Sequence, residues 1–422
     1  MGKVKLIVLE VLNEAQKNKL SEICSEVTSP QATPVNKKNF FQQLFVPFKL
    51  LMPFLMSGYE LNGRLSYIQH YRSQKKMDIN RLAFHWFFFW YQFKHSFPYE
   101  VYRLSKNMHT LHDEINLATL NPRHIIFADF NFFIPYLKSN ISFHKNNIVG
   151  NSHNAEFDVL LQATASEKNP IKLKWIKHQY KLMKQAEKKS LQHADKTFCC
   201  SDADKKKYLE LQPGATIDVV PNGVDDTYFI PPAHASSEKI LLFTGSMGYA
   251  PNAEAVQWFT NEILPLVLKK NPAVVFKIAG KDANLLAMQP HSNISIYANP
   301  EDMRPLFETA MVVVVPLKQG GGTRLKILEA AAMKLPVVST TLGAEGINGL
   351  NSSNVLLADT AEGFATAIVS LLNDKAFRLR LSENLHTLVC TNYTWRSISA
   401  NIKDAMLFTE HKFEAGCRQP IA

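Results

Sequence analysis

The chain has 422 residues, long enough for two domains with separate cores. Hydrophobic residues make up 46% of it, an ordinary share for a globular protein, and no low-complexity segment or solenoid-length repeat interrupts it. The formal charge of +10 points to an anionic partner such as phosphate groups or an acidic membrane surface, while the lack of a recognised binding module argues against nucleic acid. Five cysteines (Cys24, Cys199, Cys200, Cys390, Cys417) show no metal-ligand spacing. The adjacent Cys199 and Cys200 end an apolar run and read as small core residues in a reducing compartment.

The N-terminal MGKVKLIVLEVLNEAQ has a short apolar, strand-like run without a small-residue cleavage site, so no secretory leader is expected. Residues 35–105 are aromatic and irregular, and their elements cannot be placed. Within them LAFHWFFFWYQF, 82–93, is about half the length needed to span a bilayer. It reads as a buried helix or as an aromatic surface dipping into a membrane interface. HIIFADF, NNIVGNSH and KTFCCS then read as strands, with KWIKHQYKLMKQAEKKSLQHAD as a long helix before the last of them. On that helix Lys174, Lys177, Lys181, Lys184 and Lys188 share one face, and Leu173, Ile176, Tyr180 and Met183 share the next. A solvated face and contact with anionic lipid headgroups are both open. IDVVPNGVDDTYFIPPAHASSEK combines a strand, an Asn-Gly turn, two prolines and a polar run, which marks the domain boundary.

The second half alternates strand-length apolar runs with helices. KILLFTG, AVVFKIAG, ISIYA, MVVVVPL, PVVSTT and NVLLA are strands. NAEAVQWFTNEILPLVLKK, a short stretch around PEDMRPLFETA, the stretch after the glycines, AEGFATAIVSLL and KAFRLRLSENLHTLV are helices. This order predicts a parallel, doubly wound sheet. MVVVVPL is its central strand, and the segment after it, QGGGTRLKILEAAAMKL, falls at the strand end where open α/β sheets place ligands. Gly320, Gly321 and Gly322 allow backbone amides to approach a ligand, and the following helix adds free N–H groups and a partial positive charge. Gly322, Lys326 and Glu329 share one helix face, with Arg324 near the amide end. Two cations beside amides suit a diphosphate, and a carboxylate two turns on suits a vicinal diol, the pair of groups found in a nucleotide or nucleotide sugar. An exposed Lys326–Glu329 pair beside a flexible glycine loop is the alternative.

GGGTRLKILEAAAMKLPVVSTTLGAEGI resembles the donor-site signature of retaining glycosyltransferases of family 4, which have the GT-B fold. VVPNGVDDTYF, LLFTGSMGYAPNAEAVQWF, NYTWRSI and HNAEF at 153–157 resemble further segments of the same family in the same order. The resemblance is dense over about 120–400 and weak before. It implies two facing Rossmann-like α/β domains with a cleft between them, an acceptor-side domain over 1–228, a nucleotide-sugar domain over 229–395, and a crossover helix and tail over 396–422. Gly245 and Ser246, with Met247, would face the glycine stretch and contact donor phosphates. Thr323, Arg324 and Lys326 would surround the diphosphate, Glu329 would bind ribose, and His153 would face the cleft near the transferred sugar. Its E-x7-E motif has Gly321 in place of the first Glu. The glycine-rich loop after the first strand is missing too, unless Gly58 and Gly63 stand in for it.

Asp202 and Asp204 form a D-x-D triplet. Ser201 three residues before Asp204 makes it a helix start, so no metal is expected. His153 ends a predicted strand, where site and structural roles are both open. The function expected is metal-independent, retaining transfer of a hexose-type sugar from a nucleotide-sugar donor to a hydroxyl of a glycan or lipid-linked acceptor. No cofactor is expected besides that substrate. The expected place is the cytoplasm, peripheral at the inner face of the cell membrane, with an anionic membrane surface as a further partner. The rival readings are a nucleotide-sugar epimerase of the same architecture and a non-catalytic, glycosyltransferase-like binding or scaffold protein.

Overall fold

A computed structural model describes residues 5–7, 26–28, 126–135 and 148–399, apart from 234, 235, 287, 289 and 290. The aromatic stretch of 35–105 with its run at 82–93, the Gly58 and Gly63 question, and residues 400–422 lie outside the described residues. Two short strands, β1 (Lys5–Ile7) and β2 (Glu26–Thr28), pair in parallel near the N-terminus.

The first of two larger sheets holds β3 (Ile126–Ala128), β4 (Ile148–Ser152), β5 (Lys196–Cys199) and β6 (Ile217–Val219), side by side in chain order and all parallel. Helices α1 (Glu156–Ser166) and α2 (Pro170–His193) join β4 to β5, and α3 (Asp202–Leu211) joins β5 to β6. Cys199 and Cys200 are buried, and burial pushes both thiols up to about 12, so they are inert packing groups. On α2 the five lysines lie on the outward side, as their spacing requires. The buried stripe is rotated from the expected one: Trp175, Gln179, Met183, Ala186, Glu187, Ser190 and Leu191 face inward, while Leu173, Ile176 and Tyr180 are half-buried.

The second sheet holds β7 (Ile240–Thr244), β8 (Val275–Gly280), β9 (Ile294–Ala298), β10 (Val312–Val315), β11 (Val337–Ser339) and β12 (Leu356–Leu357), in the order β12-β11-β10-β7-β8-β9. All pairings are parallel. The chain builds outward from β7 in one direction and returns to build from β10 in the other. The crevice between β7 and β10 is therefore the point where strand order reverses. Both strands are buried on both faces, as their unbroken apolar runs predict. Helices α4 (Ala250–Trp258), α5 (Leu264–Lys270), α6 (Arg304–Thr309), α7 (Leu325–Ala332), α8 (Ala361–Asn373) and α9 (Lys375–Asn392) complete this unit. The expected single helix over 252–270 is instead two, joined by a π turn at Phe259–Ile263. Pro265 sits just past that turn and has no N–H to give to a regular α ladder.

Between the sheets, residues 220–239 carry no regular strand or helix among those described. Val224 donates its N–H to the Tyr393 carbonyl and accepts from Trp395 N–H, forming a bridge with Thr394. The C-terminal segment thus lies along the linker, and residues 395–399 are helical.

One buried network holds the end of β4. Glu187 of α2 is fully buried and accepts from the Glu156 and Phe157 backbone N–H groups at 3.2 and 2.8 Å. It serves as a cap for α1, which has none of its own at Ala155. Tyr208 donates to the same carboxyl at 2.5 Å and lies 2.9 Å from the Asn154 carbonyl. Burial raises the Glu187 pKa from 4.5 to about 8, against the pull of the Tyr208 and backbone donors. Glu187 is then mostly neutral at pH 7. Between pH 4.5 and 8 the unfolded chain has released this proton and the folded chain keeps it, so the group's contribution to stability falls as pH rises. Chemical denaturation checks this. Glu187→Ala is expected to cost roughly 2–5 kcal/mol by leaving the Glu156 and Phe157 N–H groups without their acceptor, while Tyr208 keeps the Asn154 carbonyl. Glu187→Gln, close in shape to the neutral acid, should cost about 1 kcal/mol or less and flatten the pH slope.

Candidate functional site

The C-terminal ends of the two sheets face each other. Gly322 follows β10 at φ +70°, a region open to glycine, and a Cβ there would run into the Asn154 side chain and lie 2.6 Å from the His153 carbonyl. Both of those residues follow β4. Thr323 crosses the same junction: its hydroxyl donates to the Cys200 carbonyl at 3.0 Å and accepts from Asn222 N–H at 3.4 Å. Gly320 N–H is likewise engaged across the gap, by Gln162 Oε1 of α1 at 3.0 Å. Asn348 donates to Asp202 at 2.5 Å nearby.

A cavity of about 720 Å³ opens at the β7–β10 crevice. Thr244 and Gly245 line it at the end of β7, and Arg324, Lys326 and Glu329 line it from the start of α7. Asn299, Pro300 and Met303, which follow β9, also line it. Its shape depends on a tight pass at Gly280, with φ +137°, where a Cβ would overlap the Gly245 carbonyl.

Lys326 lies on the first turn of α7. Its ammonium donates to Asn252 Oδ1 at 2.9 Å and sits 4.1 Å from the centre of the Phe243 ring. Asn252 in turn donates to the Ser246 carbonyl at 2.9 Å, which fixes the amide with its oxygen toward Lys326. Burial and the nearby Arg324 charge bring the Lys326 pKa down from 10.5 to about 7, although Glu329 favours the charged form. Glu329 is one turn further along, and its pKa is raised by burial, with Lys326 opposing. Its carboxylate has no hydrogen-bond partner among the described residues. Arg324 is only 8% exposed; it folds back to donate from Nη1 to the Gly321 carbonyl, while its buried Nε has no partner among the described residues. Burial lowers its pKa, so the guanidinium is short of counter-charge. Among the described residues, the wall therefore offers two cations without a hydrogen-bonded anion and one carboxylate without a hydrogen-bond donor.

On the opposite side, His153 Nε2 lies 3.0 Å from Asp129 Oδ1 at the end of β3, and Asn151 donates to the same oxygen at 2.7 Å. The Asp129 bond raises the His153 pKa, while the His153 bond lowers that of Asp129. The Phe130 ring lies 5.1 Å from the imidazole, centre to centre.

Of the residues expected at the site, Gly245, Thr323, Arg324, Lys326 and Glu329 line one cavity. Gly320, Gly321, Gly322 and His153 meet at the junction beside it. Ser246 contributes its carbonyl to the orientation of Asn252, and Met247 is buried in the hydrophobic core of the second unit. Arg324, expected near the amide end, lines the same cavity. Of the D-x-D pair, Asp202 takes the Asn348 bond across the junction and Asp204 holds a helix start: Asp204 N–H donates to Ser201 Oγ, whose hydroxyl donates to the Asp204 carboxylate at 2.6 Å, and that carboxylate also accepts from Ala155 N–H. Asn252, Asp129 and Gln162 carry no mark in the sequence. Each acts through a partner tens of residues away, so no local spacing points to it.

Residues 238–374 match the model of the family described as glycosyl transferases group 1. An uncharacterized 44.6 kDa protein in the cps region of Klebsiella pneumoniae is 24% identical over 172 residues, 38% of this chain and 44% of that protein. One component of the human phosphatidylinositol N-acetylglucosaminyltransferase is 26% identical over 200 residues, 43% of this chain and 39% of that one. The chain thus spans less than half the length of these curated relatives. The crystal structure of Anabaena Alr3699/HepE in complex with UDP and glucose superposes with a TM-score of 0.54 at 14% identity, covering 72% of this chain and 82% of that one. That likeness extends to both α/β units and shows the two-domain GT-B fold. Residues 238–374 are a glycosyl transferases group 1 domain, a glycosyltransferase enzyme domain, set within a chain of that fold.

Proposed function

We propose that the protein transfers a sugar from a nucleotide-sugar donor to a hydroxyl of a lipid-linked or surface-polysaccharide precursor, with retention of anomeric configuration and without a metal. The observation that carries this reading is the single cavity wall on which Arg324, Lys326 and Glu329 stand, none with an oppositely charged hydrogen-bond partner, at the strand-order reversal. Lys326 and Arg324 would hold the diphosphate, and the Glu329 carboxylate would accept both hydroxyls of the ribose. The base would then lie toward Asn299, Pro300 and Met303, and the sugar toward His153. The UDP and glucose held by the Anabaena protein are consistent with such a donor.

During transfer the bond from the sugar's anomeric carbon to the phosphate oxygen breaks, and the acceptor oxygen bonds to that carbon. The acceptor's proton goes to the departing phosphate, so no protein base is required. The two cations stabilise the charge that builds on the diphosphate, a fixed electrostatic clamp in a site shielded by two domains. The clamp supplies the positive charge a metal would otherwise bring. For the acceptor, the outward lysine face of α2 favours an anionic surface, and the names of both curated relatives point to surface glycans or lipids. No helix among the described residues is long and apolar enough to cross a membrane.

Binding of UDP, GDP and ADP by thermal shift or calorimetry tests the reading. Glu329→Ala should weaken the preferred diphosphate roughly 10- to 100-fold, the value of a charge-assisted hydrogen bond. Arg324→Ala should mainly lower kcat. Parent-like binding and turnover in both variants would overturn the assignment, and conversion of donor without acceptor would favour an epimerase. The lowered Lys326 pKa gives a second test. Above pH 7 the free protein has largely lost this proton, and a bound diphosphate recovers it. Affinity should therefore fall as pH rises from about 7 to about 9, with proton uptake near pH ~8 visible as buffer-dependent binding heat. Lys326→Met should abolish that uptake. On the acceptor side, Asp129→Asn should lower the His153 pKa, read from the imidazole proton shifts by NMR.

A further inference from the structure

The order of groups along a nucleotide sugar is fixed: base, ribose, diphosphate, sugar. With ribose at Glu329 and diphosphate at Lys326 and Arg324, the sugar has to continue past Arg324. That direction leads to the glycine turn and to the first domain's α1. There the side chain of Gln162 meets the turn, its Oε1 accepting from Gly320 N–H at 3.0 Å. The amide does not rotate freely. Its Nε2 donates to Asp158 Oδ2 at 2.8 Å, and Lys207 holds that same oxygen at 2.9 Å. A chain of three side chains thus aims one oxygen at one backbone N–H. A Cβ on Gly321 would rest against Val159 and Asn154 at ordinary contact distances of 3.5 and 3.6 Å, so the turn accepts only a small group there, and a hydroxyl reaches the pair by parting Gln162 from Gly320.

We propose that one hydroxyl of the transferred sugar inserts between Gly320 N–H and Gln162 Oε1, so that Gln162 is a specificity-determining residue for the donor sugar. A hydroxyl is both acceptor and donor, and it can take the amide proton and give its own to the carboxamide oxygen. The direct bond is replaced by two, and neither protein group is left unpaired. A sugar lacking that hydroxyl pushes the two groups apart and satisfies neither, the situation in which a site built for a hydroxyl discriminates most strongly. Closure of the domains brings both halves of the reader together, since Gly320 lies in the second unit and Gln162 in the first. This inference rests on the donor reading of the cavity given above.

The test compares nucleotide with nucleotide sugar in the full chain. UDP, GDP and ADP are titrated first, then UDP-glucose, UDP-N-acetylglucosamine, GDP-mannose and ADP-glucose. Monodeoxy forms of the best-binding sugar follow, into the parent and into Gln162→Ala. Gln162 is on the half-buried side of a surface helix, and an unchanged melting temperature will show that the variant folds. The expected result is that Gln162→Ala leaves the diphosphate Kd within about twofold and weakens the intact donor about tenfold or more. One deoxy donor should be about tenfold weaker than its parent sugar in the unmodified protein, and that difference should vanish in Gln162→Ala. If diphosphate and donor weaken together, or if no deoxy donor loses its penalty in the variant, the proposal is overturned while the donor reading stands. If the unmodified protein binds none of the diphosphates, the donor reading falls and this assignment falls with it.

Discussion

The close approach of Gly322 to the His153 carbonyl and the Asn154 side chain is the constraint on which the rest of the site is built. It joins the strand ends of two separate sheets through a residue with no side chain, in a backbone region that L side chains rarely adopt. With that contact in place, Thr323 reaches the Cys200 carbonyl and Gly320 reaches Gln162. Arg324 is then turned inward, away from solvent. The buried chemistry of the second unit and the His153–Asp129 pair of the first come to one place because a single position can be passed so closely.

The electrostatics follow from the same geometry. A surface lysine keeps its proton at any physiological pH; Lys326 does not, because burial and Arg324 both oppose its charge. Such a pair is costly unless an anion arrives, and the wall carries this cost in a fold whose central strands are apolar but for Thr244. Glu329 moderates it from one turn away and remains open to hydroxyl donors.

The parallel sheet of the second unit was legible strand by strand, since its central β-branched runs are buried on both faces and cannot alternate. The helices were less faithful. Pro265 turned one predicted helix into two, and the inward stripe of α2 is rotated from the expected one because Gln179, Glu187 and Ser190, all polar, are among its buried residues. In the site, Arg324, Lys326 and Glu329 could be read from one short segment because helix spacing places them together. The residues that orient their partners could not. Asp129 lies 24 residues before His153 and Asn252 lies 74 before Lys326, and those distances are spanned only by the completed fold. Before residue 120 neither periodicity nor resemblance gave an organisation.

The pairing of Val224 with the Tyr393–Trp395 segment has a mechanical meaning. A joint made of one strand can swivel as well as bend. Here two passages of the chain run side by side and are stitched by backbone bonds, with the Trp395 ring laid against Gly223 so closely that a Cβ would fall 2.8 Å from it. Such a strap flexes about one axis and resists torsion. A doubled joint favours one register between the two units, which is what a site divided between two bodies requires for its halves to stay aligned.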